Sequence, residues 1–161
     1  MRFRYVWWSL GILVFIGIGI QLVPYGRGHS NPPVRREPAW DSPATRDLAV
    51  RACYDCHSNQ TVWPWYAQVA PVSWLIQHDV EDGRRHLNFS EWDRPQREAR
   101  KTGRQIDRGK MPPWYYVLIH PKAGLSETEK QTLRGGLETT AAQDRPVSAQ
   151  EKGQARGKQG G

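Results

Sequence analysis

The sequence predicts an all-α protein in which one N-terminal membrane helix precedes a small helical domain. Two helix-start patterns support this class: Ser42 is followed by Pro43, and Ser126 is followed three residues later by Glu129. In addition, no segment shows the sustained alternation of apolar and polar residues that marks a half-buried strand. With 161 residues, the chain is long enough for one compact domain and its flanking segments.

The first element is an uncharged run of 18 residues from Val6 to Val23. This length just spans a hydrocarbon core, and aromatic residues at both ends suit the two interfaces (Tyr5, Trp7, Trp8 and Tyr25). A cleaved signal peptide is the alternative, but the following PYGRGHSNPP has no small-x-small cleavage site. We therefore predict a membrane anchor in residues 1–25. Arginines lie on both sides of the run, so charge does not decide its orientation.

The flanks of the domain are predicted to lack a fold of their own. Residues 26–41 contain Pro32, Pro33 and Pro38 and are typical of an extended linker. Residues 143–161 are rich in Gln, Gly and Lys and contain no aromatic residue, which predicts a disordered tail. The folded domain is therefore expected to comprise residues 42–142.

Four helices are predicted within this domain. The first begins at Ser42 and runs to about Tyr54. The second opens at Pro71, ends near Gly83 and has one apolar face, formed by Val72, Leu75, Ile76 and Val80.

The third and fourth helices are predicted from capping patterns. Asp93 and Gln96 resemble a capping box for a helix that Gly109 ends. The clearer box at Ser126 and Glu129 begins the fourth helix, which we expect to end at Gly135–Gly136 or shortly after.

The formal net charge of +7 is concentrated outside the domain. Residues 38–142 contain 14 Lys and Arg against 13 Asp and Glu, whereas the flanks contain 9 against 3. This distribution argues against a basic nucleic-acid-binding surface and favours basic segments near a membrane and in the tail. No nucleic-acid partner is predicted.

The chemistry is predicted by Cys53-Tyr54-Asp55-Cys56-His57, a C-x-x-C-H pattern that contains both cysteines of the chain. Two thiols three positions apart on a helical turn can form thioether bonds to one edge of a haem, and the adjacent histidine can bind its iron. A redox dithiol would require a βαβ context, which the sequence does not show. A zinc site would require a fourth ligand; His78 or His86 could serve, but neither has the spacing of a zinc site. Covalent haem attachment is the favoured interpretation.

Two longer runs resemble the bacterial haem-binding domain family of short membrane-anchored c-type cytochromes. They are CYDCHSNQTVWPWYAQVAPVSWLIQHDVEDGRRHLNFSEW, from Cys53 to Trp92, and the later GKMPPWYYVLIHPKAGLSETE. The resemblance covers roughly residues 42–137. It implies a cytochrome-c-like helical domain with haem c attached through Cys53 and Cys56, exposed on the outer, periplasmic side of a bacterial cytoplasmic membrane. Attachment would then require a cytochrome c maturation system.

The sixth iron ligand is predicted to be Met111, because the chain has only one other methionine, Met1. Met111 follows a helix stop and precedes Pro112 and Pro113, which stiffen the loop that presents its thioether. His78, His86 and His120 are the alternatives, and an iron with an open sixth position is another.

Aromatic residues cluster after each proposed ligand: Trp63, Trp65 and Tyr66 follow His57, and Trp114, Tyr115 and Tyr116 follow Met111. Walls of a haem pocket and ordinary core packing explain them equally well.

The predicted function is haem binding with one-electron transfer to a redox partner that the sequence does not identify. Such a protein requires no catalytic side chains, because the iron carries the chemistry. A haem-based sensor or small-ligand-binding module is the main alternative. A peroxidase-like enzyme is a weaker one, since it would require a distal pair such as His86 with Arg84 or Arg85.

Overall fold

A computed structural model describes residues 2–96 and 98–146, and within them the chain is all-helical. The α-helices are α1 (Arg2–Ile20), α2 (Pro43–Ala52), α3 (Tyr54–His57), α4 (Val72–His86), α5 (Thr102–Asp107), α6 (Trp114–Ile119) and α7 (Glu127–Gln143). Short 3-10 helices cover Trp65–Gln68, Ala99–Lys101 and Pro121–Ala123. The described residues contain no strand and one isolated parallel bridge, between Arg36 and Glu91. The all-α prediction is confirmed.

The described chain divides into two compact units. The first comprises residues 2–30 and 63–79, and it contains α1 and the beginning of α4. The stretch from Phe3 to Ile20 is apolar and long enough to cross a membrane, and none of it is buried within the protein. This helix agrees with the predicted N-terminal span.

The second unit comprises residues 31–62, 80–96 and 98–146, and it contains the hydrophobic core. Residues from α2, α3, α5, α7, the loop after α4 and the 3-10 helix Ala99–Lys101 form this core: Ala49, Tyr54, Leu87, Phe89, Trp92, Ala99, Ile106, Leu133 and Leu137. Aromatic rings dominate its centre, where Phe89 stacks on Tyr54 and Trp92 with centroid distances of 5.7 and 6.1 Å. The haem motif is thus built directly onto the core, through Tyr54.

The starts of α2 and α7 follow the predicted capping patterns. The Ser42 hydroxyl accepts a hydrogen bond from the Thr45 amide at 3.2 Å, and Pro43 occupies the first turn of α2. At α7, Ser126 and Glu129 form a reciprocal capping box. Helix α7 nevertheless passes through Gly135 and Gly136 and ends at Gln143. A Cβ on Gly136 would lie 1.9 Å from Thr45 Oγ1, so this glycine permits close packing against α2 and does not end the helix.

The predicted third helix is wrong in its first half. Residues 93–96 and residue 98 do not form an α-helix, and α5 begins only at Thr102. The Gln96 side chain does not cap a helix; its amide bonds the backbone of Asn88 and of Glu91 and closes a loop. The predicted stop is confirmed, because Gly109 adopts a left-handed conformation with φ of +64°.

The second predicted helix differs in its end and in its apolar face. Helix α4 continues past Gly83 to His86. Of the predicted face, Val80 is buried, but Val72 and Leu75 are 41% and 49% exposed. The protein therefore leaves Val72 and Leu75 largely uncovered, although their spacing is typical of a buried face.

The two predicted flanking segments make contacts in the second unit. Trp40 packs against the core, and the Ala39 amide donates to the Asp144 carboxylate at 2.7 Å. The Trp92 indole donates to the Asp144 carbonyl at 2.8 Å. The rest of the predicted tail, from residue 147 onward, lies outside the described residues.

Candidate haem site

The C-x-x-C-H motif forms one tight turn at the end of α2. The carbonyl of Cys53 accepts hydrogen bonds from the amides of Cys56, at 3.2 Å, and of His57, at 2.8 Å. Cys53 also caps α2 by donating to the Ala49 carbonyl at 2.8 Å. Neither cysteine is in a disulfide, and both are half-buried. The turn therefore places Cys56 and His57 in one short helix, α3, and Cys53 at its N-cap.

The ring of His57 is held by the carboxyl-terminal end of α4. Its Nδ1 lies 3.1 Å from the Gly83 carbonyl and 3.0 Å from the Leu87 carbonyl. Because a carbonyl can only accept, the proton must reside on Nδ1 and the lone pair on Nε2. Burial lowers the pKa of His57, which favours the neutral imidazole that binds metals. The geometry thus leaves the lone pair of Nε2 for the predicted ligation of iron.

The Cys53 thiol differs from reactive redox thiols. Burial raises the pKa of Cys53 to about 12, so this thiol stays protonated at neutral pH. Redox-active cysteines of C-x-x-C motifs have lowered pKa values and partial thiolate character. This contrast argues against the dithiol interpretation.

Gly83 is a site residue that was predicted from the sequence only as a helix stop. A Cβ at this position would lie 2.4 Å from the Cys56 carbonyl oxygen, closer than real contacts allow. The absence of a side chain lets α4 approach the motif closely enough for the Gly83 carbonyl to reach His57. The glycine therefore serves the orientation of the proposed iron ligand.

We expect Gly83→Ala to lower the free energy of unfolding by about 1–3 kcal/mol, because the added methyl group must push α4 and the motif apart. Urea unfolding of the full chain in detergent, followed by circular dichroism, measures this change. Gly135→Ala in α7 is the matched control, since a Cβ added there would meet nothing within 4 Å; for this variant we expect a gain of about 0.5–1 kcal/mol. Equal stability of the two variants would contradict the close approach of α4 to Cys56.

Asp55 connects the motif to the region after Met111. Its Oδ2 accepts a hydrogen bond from the Tyr116 hydroxyl at 2.5 Å, and its Oδ1 accepts one from the Val62 amide at 2.9 Å. Tyr116 lies on α6, five residues after Met111. No role was predicted from the sequence for the Asp55 carboxylate, although Asp55 lies inside the motif.

The structure places Met111 in the loop between α5 and α6. Its amide donates to the Gln105 carbonyl at 3.3 Å, and the residue is 37% exposed. The side chain is thus not packed in the core, as a structural methionine would be. Its role as the sixth ligand stays a prediction.

Helix α6 presents an apolar surface that the protein leaves open. None of its residues is buried, and Trp114 and Leu118 are 75% and 71% exposed. In the first unit, Trp65 is 80% exposed. Core packing is therefore the wrong interpretation for Trp65 and Trp114.

Several of the alternative ligands and catalytic partners are engaged in protein contacts. The guanidinium of Arg84 donates to the Ser58 carbonyl at 2.7 Å and to Thr61 Oγ1 at 2.9 Å. Arg85 pairs with Asp82. His120 stacks on Tyr116 with a centroid distance of 4.3 Å. Both arginines named for a peroxidase-like site, Arg84 and Arg85, are thus engaged within the protein.

The donor set of the motif does not suit a metal ion held by side chains alone. Within residues 2–96 and 98–146, no group of three or more His, Cys, Asp or Glu side chains is arranged to hold a metal ion. A structural zinc ion requires four such ligands. Haem needs only one axial nitrogen and two thiols from this turn, and these residues fit it.

Comparison with known proteins gives the same assignment. Residues 15–139 match the family model of the haem-binding domain, which covers more than half of the chain and includes Cys53, Cys56, His57 and Met111. No curated protein and no solved structure matches the chain. Both the oriented histidine and the family match lead to one conclusion: this chain belongs to the haem-binding domain family.

Proposed function

We propose that this protein is a membrane-anchored monohaem c-type cytochrome that carries single electrons. The observation that carries the proposal is the motif turn, in which two cysteines outside any disulfide share one turn with a histidine whose Nδ1 is fixed by two carbonyls. Thioether bonds from Cys53 and Cys56 would hold haem c, and His57 Nε2 would bind its iron. The bound iron supplies a one-electron redox couple.

The protein's own part in this function is ligation, orientation and exclusion of water. The carbonyls of Gly83 and Leu87 hold the His57 ring in one tautomer and raise its basicity. Met111 would supply the sixth ligand from its loop. The apolar side chains of α6 offer a surface for the ring to cover, and burying them would favour the holo form by about 25 cal/mol per Å².

Membrane attachment is proposed for α1, with the residues from Pro24 onward on the outer side of a bacterial cytoplasmic membrane. The apolar stretch from Phe3 to Ile20 supports the span. The side of the membrane on which these residues lie follows from the proposed chemistry, because thioether attachment in bacterial cytochromes of this kind is completed outside the cytoplasm. A maturation system and a redox partner protein are the partners that this location requires.

Alkaline phosphatase fused after Gly161 is therefore expected to be active, and a green fluorescent reporter at the same position is expected to be dark. A reporter fused directly after Met1 and preceding α1 should show the opposite pattern. If the carboxyl-terminal phosphatase is inactive while the fluorescent reporter is bright, the proposed orientation is wrong.

Electron transfer is tested on the wild-type holoprotein by a potentiometric titration, with spectra of the ferrous form before and after addition of carbon monoxide. An electron carrier whose iron is closed by His57 and Met111 should titrate reversibly with one electron and resist the gas. Immediate formation of a carbon monoxide complex would instead identify a sensor or ligand-binding module with an open sixth position.

A further inference from the structure

The first unit carries an exposed apolar surface that lies outside the hydrophobic core. Residues 63–77, WPWYAQVAPVSWLIQ, contain no charged side chain, although about a quarter of the residues in the whole chain are charged. Several of their apolar side chains are exposed, with Trp65 at 80%, Leu75 at 49%, Val69 at 43% and Val72 at 41%. A protein surface that faces water normally intersperses such residues with charges.

This segment is bound to the end of α1 by a reciprocal pair of hydrogen bonds. Gln21, the first residue after α1, donates from Nε2 to the Ala70 carbonyl at 2.9 Å. Its Oε1 accepts from the Ala70 amide at 3.0 Å and from Arg27 at 3.1 Å. The side-chain amide of Gln21 therefore holds the backbone of Ala70 beside it.

The residues after Gln21 contact the same segment at further points. A Cβ on Gly26, which has φ of +81°, would lie 2.3 Å from the Ser73 carbonyl oxygen. His29 Nε2 lies 3.1 Å from the Ala67 carbonyl, and its ring stacks on Trp63 with a centroid distance of 4.6 Å. Residues 21–29 and 63–73 thus form one packed structure at the end of α1.

The depth of this structure follows from the length of the helix. At 1.5 Å per residue, the span from Phe3 to Ile20 is about 27 Å long, close to the roughly 30 Å of a hydrocarbon core. Gln21 then lies at the boundary between hydrocarbon and headgroups. Ala70 is hydrogen-bonded to Gln21, and Val69 and Val72 lie within two positions of Ala70 in the chain.

We propose that Val69, Val72 and Trp65 form a membrane-interface surface that inserts among the lipids around α1. The inference rests on the proposed membrane anchor. Lipid is the occupant that fits, because the segment 63–77 that carries this surface is uncharged, contains Trp and Tyr, and is hydrogen-bonded to the end of an apolar helix. Insertion would fix the tilt of α1 in the bilayer. It would also hold residues 63–73 at the membrane surface and restrict their motion relative to α1.

The surface is tested by photo-crosslinking of the full-length holoprotein in phosphatidylcholine nanodiscs. A p-benzoylphenylalanine residue replaces Val69, Val72 or Trp65 in separate variants, and mass spectrometry detects lipid adducts after irradiation. Leu13 in α1 is the positive control for the span. Val50, which is exposed to 41% in the second unit, is the control for an equally exposed valine.

We expect lipid adducts at Leu13, Val69, Val72 and Trp65, and none at Val50. Adducts at Leu13 without any at Val69 and Val72 would overturn the interface surface while leaving the membrane span intact. Adducts of Val69 or Val72 with haem or protein, or equal lipid adducts at Val50, would also overturn it. No adduct at Leu13 would show instead that the membrane anchor itself is wrong, and the surface with it.

Discussion

Replacing Cys53 and Cys56 together by alanine is expected to abolish the haem that remains with the chain in a denaturing gel. Haem held only by iron–ligand bonds dissociates when the protein unfolds, whereas thioether bonds survive. The wild-type chain, made in cells with a cytochrome c maturation system, should therefore keep its haem stain. The expected effect is complete loss of the stain in the double variant.

The single variants and one ligand variant make this test specific to the thiols. Cys53→Ala and Cys56→Ala each leave one thiol that can form a thioether, so each should retain part of the stain. Met111→Ala is the matched control, because it removes a proposed iron ligand without touching either thiol and should stain like the wild type. If unfolded wild-type protein loses its haem, covalent attachment is wrong.

Met111→Ala is expected to open the iron to carbon monoxide, and this is the second large effect. With the thioether removed, the ferrous protein should bind the gas at once. Met111→His should stay six-coordinate, but its reduction potential should fall. Thioether sulfur favours ferrous iron more than imidazole does, and axial ligands set potentials over a range of about 0.8 V. A decrease on the order of a tenth of a volt is therefore readily measured by potentiometric titration.

His120→Ala is the matched control for Met111, since His120 lies at the end of α6 and is stacked on Tyr116. Its spectra should match those of the wild type. Unchanged oxidised and reduced spectra in Met111→Ala would show that Met111 is not a ligand. Replacement of His78, His86 and His120 in turn would then identify the residue that is.

The features that the sequence determined by itself are local ones. The starts of α2 and α7 were predictable because the hydroxyls of Ser42 and Ser126 accept from amides only three residues away. The turn of the motif is equally local, since the Cys53 carbonyl bonds the amides of Cys56 and His57. Likewise, the span of α1 depends only on a run of uncharged residues. Such interactions form between near neighbours and need no knowledge of the rest of the chain.

Tertiary structure decided how glycines and apolar residues are used. Gly83 and Gly136 were predicted near helix ends, yet α4 and α7 continue through both. Each glycine instead leaves room for a close neighbour: the Cys56 backbone at Gly83 and the Thr45 side chain at Gly136. The exposure of Val72 and Leu75 could not be predicted either, since an apolar helical face has the same pattern whether protein or another apolar phase covers it.

The orientation of the site was likewise decided by contacts between residues that are far apart in the chain. The tautomer of His57 depends on the carbonyls of Gly83 and Leu87, which follow it by 26 and 30 residues. The bond from Tyr116 to Asp55 joins residues 61 positions apart. A sequence pattern names the groups that can bind haem, but only the packing of α4 and α6 around the motif decides which nitrogen of His57 is free and where the loop of Met111 is anchored.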